Sequence, residues 1–425
     1  MESSSRTVAE PIVANSSAQS KRIATVIQRI WPEASALLRE LVEKNSYTLN
    51  LDGVRENARR IIARFAPLEF RPRFVPSRRT DTAEHLFLDS GGNGPAILLI
   101  SHLDTVYPPE EQKAGFSGWD ETQNRVPGPG TYDIKGGTVA IWMLLRCLME
   151  EDPGGFSRHR WILGWNACEE LLSADFSEAA IGIAGDDPTA CLVFEGDNRR
   201  QEGFELITAR SGLAHFRIRV KGRSSHSGNG HASGINAIVR LADIVGRVSA
   251  LTDYGRHTTV NIGVIRGGVT TNRVPDFAEA SLEVRYRDPS HFAEVKAAIT
   301  GFSDVGGGAD TPGGARAEVI IEALAEIPFW PEADSSLNLA EFWIRAGKQC
   351  GHPVSVGRRS GLSDANYFAR HFPTLDGLGP RGGNAHAVVP DGSSVRITEF
   401  VDMQSLQTKT LLNTIAVLEL TRKTR

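Results

Sequence analysis

Ser101-His102-Leu103-Asp104 follows directly on an apolar run, Ile97-Leu98-Leu99-Ile100. A short apolar run that ends in polar groups reads as a buried strand whose tip carries chemistry. Residues two apart in an extended chain share a face, so His102 and Asp104 aim at one spot. A carboxylate beside a ligating imidazole fixes its tautomer and orientation. Further groups stand at comparable places: Asp133 in Gly130-Thr131-Tyr132-Asp133-Ile134-Lys135-Gly136-Gly137, Glu169 and Glu170 after the run 160–165, Glu195 after 190–194, and His386 in Gly382-Gly383-Asn384-Ala385-His386. Two imidazoles with several carboxylates and no thiolate suit zinc first, with manganese or cobalt as alternatives. They suit two divalent ions better than one, because a carboxylate can bridge and several negative charges need neutralising. Carboxylates are expensive to bury unless paired or metal-bound. Each residue alone has an ordinary structural reading; the set together points to a cation.

These residues need a scaffold, and the chain has one to offer. At 425 residues it is long for one domain, so two are expected. A hydrophobic content of 40% and a charged content of 23% are ordinary for a globular protein. The net charge of −4 creates no basic field for nucleic acid. Four scattered Cys without CxxC spacing argue against a disulfide framework or a thiolate zinc site, and fit a reducing, cytoplasmic compartment. No apolar run approaches the roughly 18 residues of a membrane span.

Residues 1–20 are Ser-rich and polar and read as a disordered tail. Helical spacing over 21–41 and 54–65, with strands at 70–74 and 85–88, leads up to the His102 strand. A helix over 138–149 and buried strands at 160–165 and 190–194 follow. Apolar strands alternating with helices, each ending in acid or His, predict a mixed, mostly parallel α/β sheet flanked by helices. In such sheets sites lie outside the strands' carboxyl ends. Near Ala209 the pattern changes. Residues 216–221 alternate apolar with Arg and Lys, a half-exposed strand. A helix at 235–248, strands at 260–265 and 280–285, a helix at 292–302, a Gly-rich turn at 305–314 and a strand at 317–321 complete an inserted α+β domain. From about Pro328 the first domain resumes, with helices at 337–346, 364–372 and 403–420 and an apolar stretch at 374–378. The expected division is a metal-binding catalytic domain, 21–207 and 324–425, and a lid or dimerisation domain, 208–323.

In combination these motifs resemble the M20 family of co-catalytic metallopeptidases and amidohydrolases, the group of glutamate carboxypeptidase, succinyl-diaminopimelate desuccinylase and aminoacylase-1. The resemblance runs from about Ile97 to the C-terminus. It also takes in Ser225-His226-Ser227-Gly228, Asn272-Arg273-Val274-Pro275, Val284-Arg285-Tyr286, Ser360-Gly361-Leu362-Ser363-Asp364-Ala365-Asn366 and Asp376-Gly377-Leu378-Gly379-Pro380. It implies that Asp133 bridges two metals, that His102 and Glu195 complete one site, and that Glu170 and His386 complete the other. It further implies a catalytic set in which Glu169 is general base, Asp104 orients His102 and His226 of the lid stabilises an oxyanion in the partner subunit's active site. Arg285, Asn272, Ser360 and Gly361 would contact substrate. A homodimer through the lid domain follows from the same resemblance. Four departures stand out: Cys168 where an acid is usual, Leu172 where a Gly is expected, Gly196-Asp197 after Glu195, and Ala387-Val388-Val389-Pro390 where an acid is expected after His386.

The expected activity is metal-dependent hydrolysis of a C–N bond in a small carboxylate-bearing substrate, by default a peptide or N-acyl amino acid. One alternative is an aminohydrolase releasing ammonia from a non-peptide amine such as an aromatic amino acid of the nitroanthranilate type. Another is a metal-binding scaffold without catalysis, which would call for loss of Glu169 or a ligand, and none is lost.

Overall fold

The computed structural model describes residues 17–120, 122, 124–185, 188–197, 202–303 and 315–423. The expected Gly-rich turn at 305–314 and most of the expected tail lie outside them. The tail ends earlier than residue 20: the first helix is Ala18–Glu43, begun by the Ser17 hydroxyl, which accepts from the Ser20 N–H. The chain divides into two compact units, one holding the residues up to Thr208, Glu332–Arg358 and those from Ser363 onward, the other Ala209–Pro331 with Arg359–Leu362.

The larger unit is built on a six-stranded sheet. Its strands run in the order Arg71–Val75, His85–Asp89, Arg160–Asn166, Ala96–His102, Ala190–Val193 and Thr374–Leu375. The last four are mutually parallel, and the first two are antiparallel additions at one edge. Ala96–His102 lies inside the parallel part and is buried along its whole length. That explains why it reads as a continuous apolar run rather than an alternating one. Its carboxyl end, where His102 pairs with Asn166, is where a site is expected in such sheets.

Helices Ala18–Glu43, Gly136–Glu151, Asp334–Cys350 and Met403–Lys423 pack into one hydrophobic core with the sheet. Gly136–Glu151 is apolar nearly all round because it is buried nearly all round. Its first turn presses on the end of a strand: a Cβ on Gly137 would stand 2.1 Å from the Phe194 carbonyl oxygen. Gly137→Ala is therefore expected to lower stability by about 1–3 kcal/mol through overpacking against backbone, read as a drop in Tm by circular dichroism.

Several boundaries move for identifiable reasons. The second helix is Leu51–Phe65, since Asn50 caps it by accepting from Gly53 N–H. The expected helix at 364–372 shrinks to Ala365–Phe368. Ser363 is drawn into a 2.6 Å bond to Asp376, and Pro373 disfavours helix just before it. Strands Phe204–Arg210 and Val354–Arg359, and the short set Arg125–Pro127, Gly382–Gly383 and Phe400–Asp402, are too brief or too mixed to show a period.

The smaller unit is an antiparallel sheet in the order Glu318–Ile327, Gly212–Lys221, Phe277–Tyr286 and Thr259–Gly267, with helices Ala237–Ser249 and Pro289–Thr300. The helices share a core with the inward residues of the sheet, among them Phe216, Ile218, Ala280 and Val284. Asp288-Pro289 sets the start of the second helix, as cap and first residue, ahead of the expected 292. This unit reaches further than 208–323. Glu318–Ile327 pairs along nearly the whole of Gly212–Lys221, so an end at 323 would cut a strand in two.

Candidate metal centre

The site grows from the end of strand Ala96–His102. Asp104, only 1% exposed, organises it. His102 Nδ1 lies 3.0 Å from the Asp104 carbonyl oxygen and 3.4 Å from its Oδ1. The same carboxylate accepts from Glu169 N–H at 3.1 Å, Glu170 N–H at 3.3 Å and the Thr48 hydroxyl at 2.7 Å. One side chain thus sets the imidazole and the loop that carries both glutamates.

Asp133 sits in the turn Thr131–Lys135, just before helix Gly136–Glu151. Its two oxygens face different imidazoles. Oδ1 is 3.0 Å from His102 Nε2 and Oδ2 is 3.3 Å from His386 Nε2. His386 Nε2 is also 3.2 Å from Glu170 Oε2, and Glu195 Oε1 is 4.0 Å from His102 Nε2. His102, Asp133, Glu170, Glu195 and His386 are therefore gathered around one carboxylate that opens to both sides.

The charges in this cluster are out of balance. Burial opposes ionisation of Asp133, yet the two imidazoles hold its carboxyl well below the usual range. Burial, with Asp133 nearby, pushes Glu170 up to about 7. Burial also raises Glu169 well above its ordinary value and carries Asp364 to about 7. His386 rises to about 11 through its hydrogen bonds to Asp133 and Glu170. Carboxyls driven toward neutrality in this way are those a divalent cation would keep ionised. A further sign is Glu170 Oε1, which is buried and has no hydrogen-bond partner. Such an orphan is unfavourable unless something binds it. Ligand atoms of His102, Asp133 and Glu170 all lie within 4.8 Å of one another. The donor set, nitrogen and carboxylate oxygen with no thiolate, fits a divalent ion such as zinc or manganese.

Residues 208–309 match the family described as Peptidase dimerisation domain. Carboxypeptidase G2 of Pseudomonas sp. (strain RS-16) is 26% identical over 316 residues, 70% of this chain and 69% of that protein. A probable carboxypeptidase of Aspergillus fumigatus is 29% identical over 232 residues, 51% of each chain. The M20 metallo-carboxypeptidase Sso-CP2 of Sulfolobus solfataricus has the same fold, with a TM-score of 0.69 at 16% identity, covering 92% of this chain and 99% of that one. A dinuclear metal-binding M20 peptidase of Bacillus subtilis superposes with a TM-score of 0.63 at 15% identity, covering 94% and 99%. The matched domain, the sequence relatives and the shared fold make this chain similar to M20 peptidases.

The M20 departures have physical readings here. Gly196 lies under Tyr132, whose ring atoms would be 2.0 Å from a Cβ there, and Tyr132 OH donates to the Gly196 carbonyl at 3.1 Å. Asp197 is fully buried and meets Lys409 Nζ at 3.2 Å. Leu172 takes φ 60°, the left-handed backbone for which Gly is the ordinary residue. Cys168 is buried beside Ser77, and burial pushes its thiol up, so a neutral group stands there.

Among the described residues, His85, Cys168 and Asp175 form a second group of ligand-type atoms. His85 Nδ1 accepts from Ala167 N–H at 3.1 Å, so its proton is on Nε2, 3.4 Å from Asp175 Oδ2. A protonated Nε2 has no lone pair for a metal. This trio is a buried His–Asp pair that braces the loop ahead of Glu169.

Sequence reasoning missed Glu399. The acid expected soon after His386 arrives on the far side of a hairpin, Val388–Asp391 with Ser394–Ile397. Thr398 N–H closes it on the Ala387 carbonyl at 3.0 Å. Glu399 then accepts from the Asp133 N–H at 3.0 Å, the Tyr132 N–H at 2.9 Å and the Tyr107 hydroxyl at 2.7 Å. It holds the turn that aims Asp133, and the only signal in sequence was Glu399-Phe400-Val401 itself. Glu399→Gln is expected to weaken metal affinity about 10- to 100-fold, measured by competition with a chromogenic chelator.

In the smaller unit His226 is exposed, and its Nδ1 accepts from Gly228 N–H at 3.0 Å and Asn229 N–H at 3.1 Å. Its proton therefore lies on Nε2. Asn272 is its neighbour through Ser227 N–H to the Asn272 carbonyl, 3.1 Å. Elsewhere in that unit Arg285 donates to the Ser360 carbonyl at 2.8 Å, and Arg210 to the Gly361 carbonyl at 2.7 Å. The expected substrate contacts thus fall into two groups, His226 with Asn272 and Arg285 with Ser360 and Gly361.

Proposed function

We propose that this chain is a metal-dependent hydrolase that cleaves a C–N bond of a small carboxylate-bearing substrate, a peptide or N-acyl amino acid. The observation that carries the reading is Asp133, whose two oxygens face His102 and His386. M20 relatives named as carboxypeptidases support the peptide-like substrate class. Asp133 would bridge two ions, with His102 and Glu195 completing one site and Glu170 and His386 the other. When bound, the metals would supply Lewis acidity toward water and toward the electrophilic carbon. Glu169, fixed through its backbone by Asp104, takes a proton from water and returns it to the leaving nitrogen. A carboxyl raised by burial is suited to both halves of that transfer. His226, with its proton on Nε2, would reach the partner subunit's active site and stabilise the oxyanion that develops there.

A homodimer through the smaller unit accords with the matched dimerisation family and with exposed apolar side chains there, Val239, Ile265 and Val269. Among the described residues no helix is long and apolar enough to cross a membrane. Four unpaired cysteines accord with a cytoplasmic setting.

The test is metal content per chain by elemental analysis, alongside product analysis on dipeptides, N-acyl amino acids and amino-aromatic acids. Bound divalent metal with amide cleavage is the expected result. Ammonia released from an aromatic amine, with no amide cleavage, would transfer the centre to the aminohydrolase reading. Failure to bind metal on add-back would overturn both.

A further inference from the structure

Beyond strand Ala190–Val193 the chain runs through a short arm, Glu195-Gly196-Asp197, and each residue of it is tied down. The Glu195 carbonyl accepts from Gly379 N–H at 2.9 Å, and the Gly196 carbonyl from the Tyr132 hydroxyl at 3.1 Å. Asp197 N–H donates to the Pro380 carbonyl at 3.0 Å. The Asp197 carboxylate accepts from Glu205 N–H at 3.0 Å and meets Lys409 Nζ at 3.2 Å. Lys409 comes from helix Met403–Lys423 and also donates to the Gly377 carbonyl at 2.7 Å. The two charged side chains are 0% and 2% exposed. Such a pair is a poor source of stability, because desolvating both charges can cost more than their attraction returns, and apolar residues of similar volume often serve as well. What it does impose is geometry: a shift of the arm would leave two buried charges unmatched. The arm so fixed carries Glu195, whose Oε1 is 4.0 Å from His102 Nε2. His386 is anchored separately, by Gly382–Gly383 pairing with Phe400–Asp402 and by Asn384 Nδ2 donating to the Thr398 carbonyl at 3.1 Å. Its side chain is 48% exposed, against 13% for Glu195.

We propose that Asp197 and Lys409, with Tyr132, are positioning residues for Glu195. They set the affinity of the metal site that His102 and Glu195 complete, and leave the site at Glu170 and His386 alone. The assignment of two sites comes from the hydrolase reading, which this deepens, but the readout is metal binding and requires no turnover.

The test is stepwise withdrawal of zinc from the zinc-loaded chain by a chromogenic chelator, with thermal unfolding measured on the same preparations. Glu195→Gln marks which of the two equivalents belongs to the Glu195 site. Asp197→Leu combined with Lys409→Met removes both charges at similar volume. It should fold, hold one equivalent as the native protein does, and release the marked one at about 10- to 100-fold weaker affinity. Tyr132→Phe gives up only the hydrogen bond to the Gly196 carbonyl and should weaken the same equivalent by less, which decides the matter if the double variant does not fold. A merely structural pair would lower Tm and leave both affinities native. That result, or equal weakening of both equivalents, overturns the proposal while two bound ions leave the hydrolase reading standing. A native chain that takes up no zinc would fault the hydrolase reading and this assignment together.

Discussion

Glu169→Gln is expected to lower kcat about 10²- to 10⁴-fold while leaving bound metal and KM nearly unchanged. The reason is a division of labour on one loop. Glu170 offers its side chain toward Asp133 and His386, whereas Glu169 touches the cluster through its backbone N–H on Asp104. The amide keeps the shape and that backbone bond, and removes only the capacity to take and return a proton. Steady-state kinetics together with elemental analysis on the same preparation is the check. A variant that loses metal in proportion to activity would make Glu169 a ligand and require a different base.

Asp133→Ala is expected to abolish metal binding at both proposed sites and take activity below detection. Among the described residues no other carboxylate is within ion-pair distance of both imidazoles, and its loss leaves His102 and His386 without the carboxylate between them. The readout need not be catalytic. A ligand that binds only the folded chain stabilises it by RT ln(1 + [L]/Kd), about 2.7 kcal/mol at 100 times Kd. Added zinc should therefore raise the Tm of the native protein and leave that of Asp133→Ala where it was. Retention of one equivalent of zinc in the variant would show that the two sites are held separately.

Much of this was legible in sequence, for physical reasons that differ from residue to residue. The strand Ala96–His102 could be read because burial on both faces demands an unbroken apolar run. His102 and Asp104 could be paired because extended chain has a period of two. What escaped were relations that no local period encodes. Glu399 is brought to Asp133 by a hairpin whose length is invisible to motif spacing. Arg285 pairs with Glu283, two residues away on the same strand, a contact that the Val284-Arg285-Tyr286 motif does not display. The limits of the smaller unit were misjudged at 323 because the alternation of Glu318–Ile327 is interrupted by a bulge between Ala323 and Ala325.

The hairpin between His386 and Glu399 also has a practical meaning. It closes on itself at Ala387 and Thr398, and its tip, Gly392 and Ser393, is exposed, with Gly392 at φ 60° as a tight two-residue turn requires. A segment whose ends are tied together and whose tip touches nothing essential is a natural insertion point. A reporter peptide or fluorophore grafted there would sit on a lever whose two roots are the His386 imidazole and the Glu399 carboxylate that accepts from the Asp133 N–H, so that the label would register changes at both from outside the cluster.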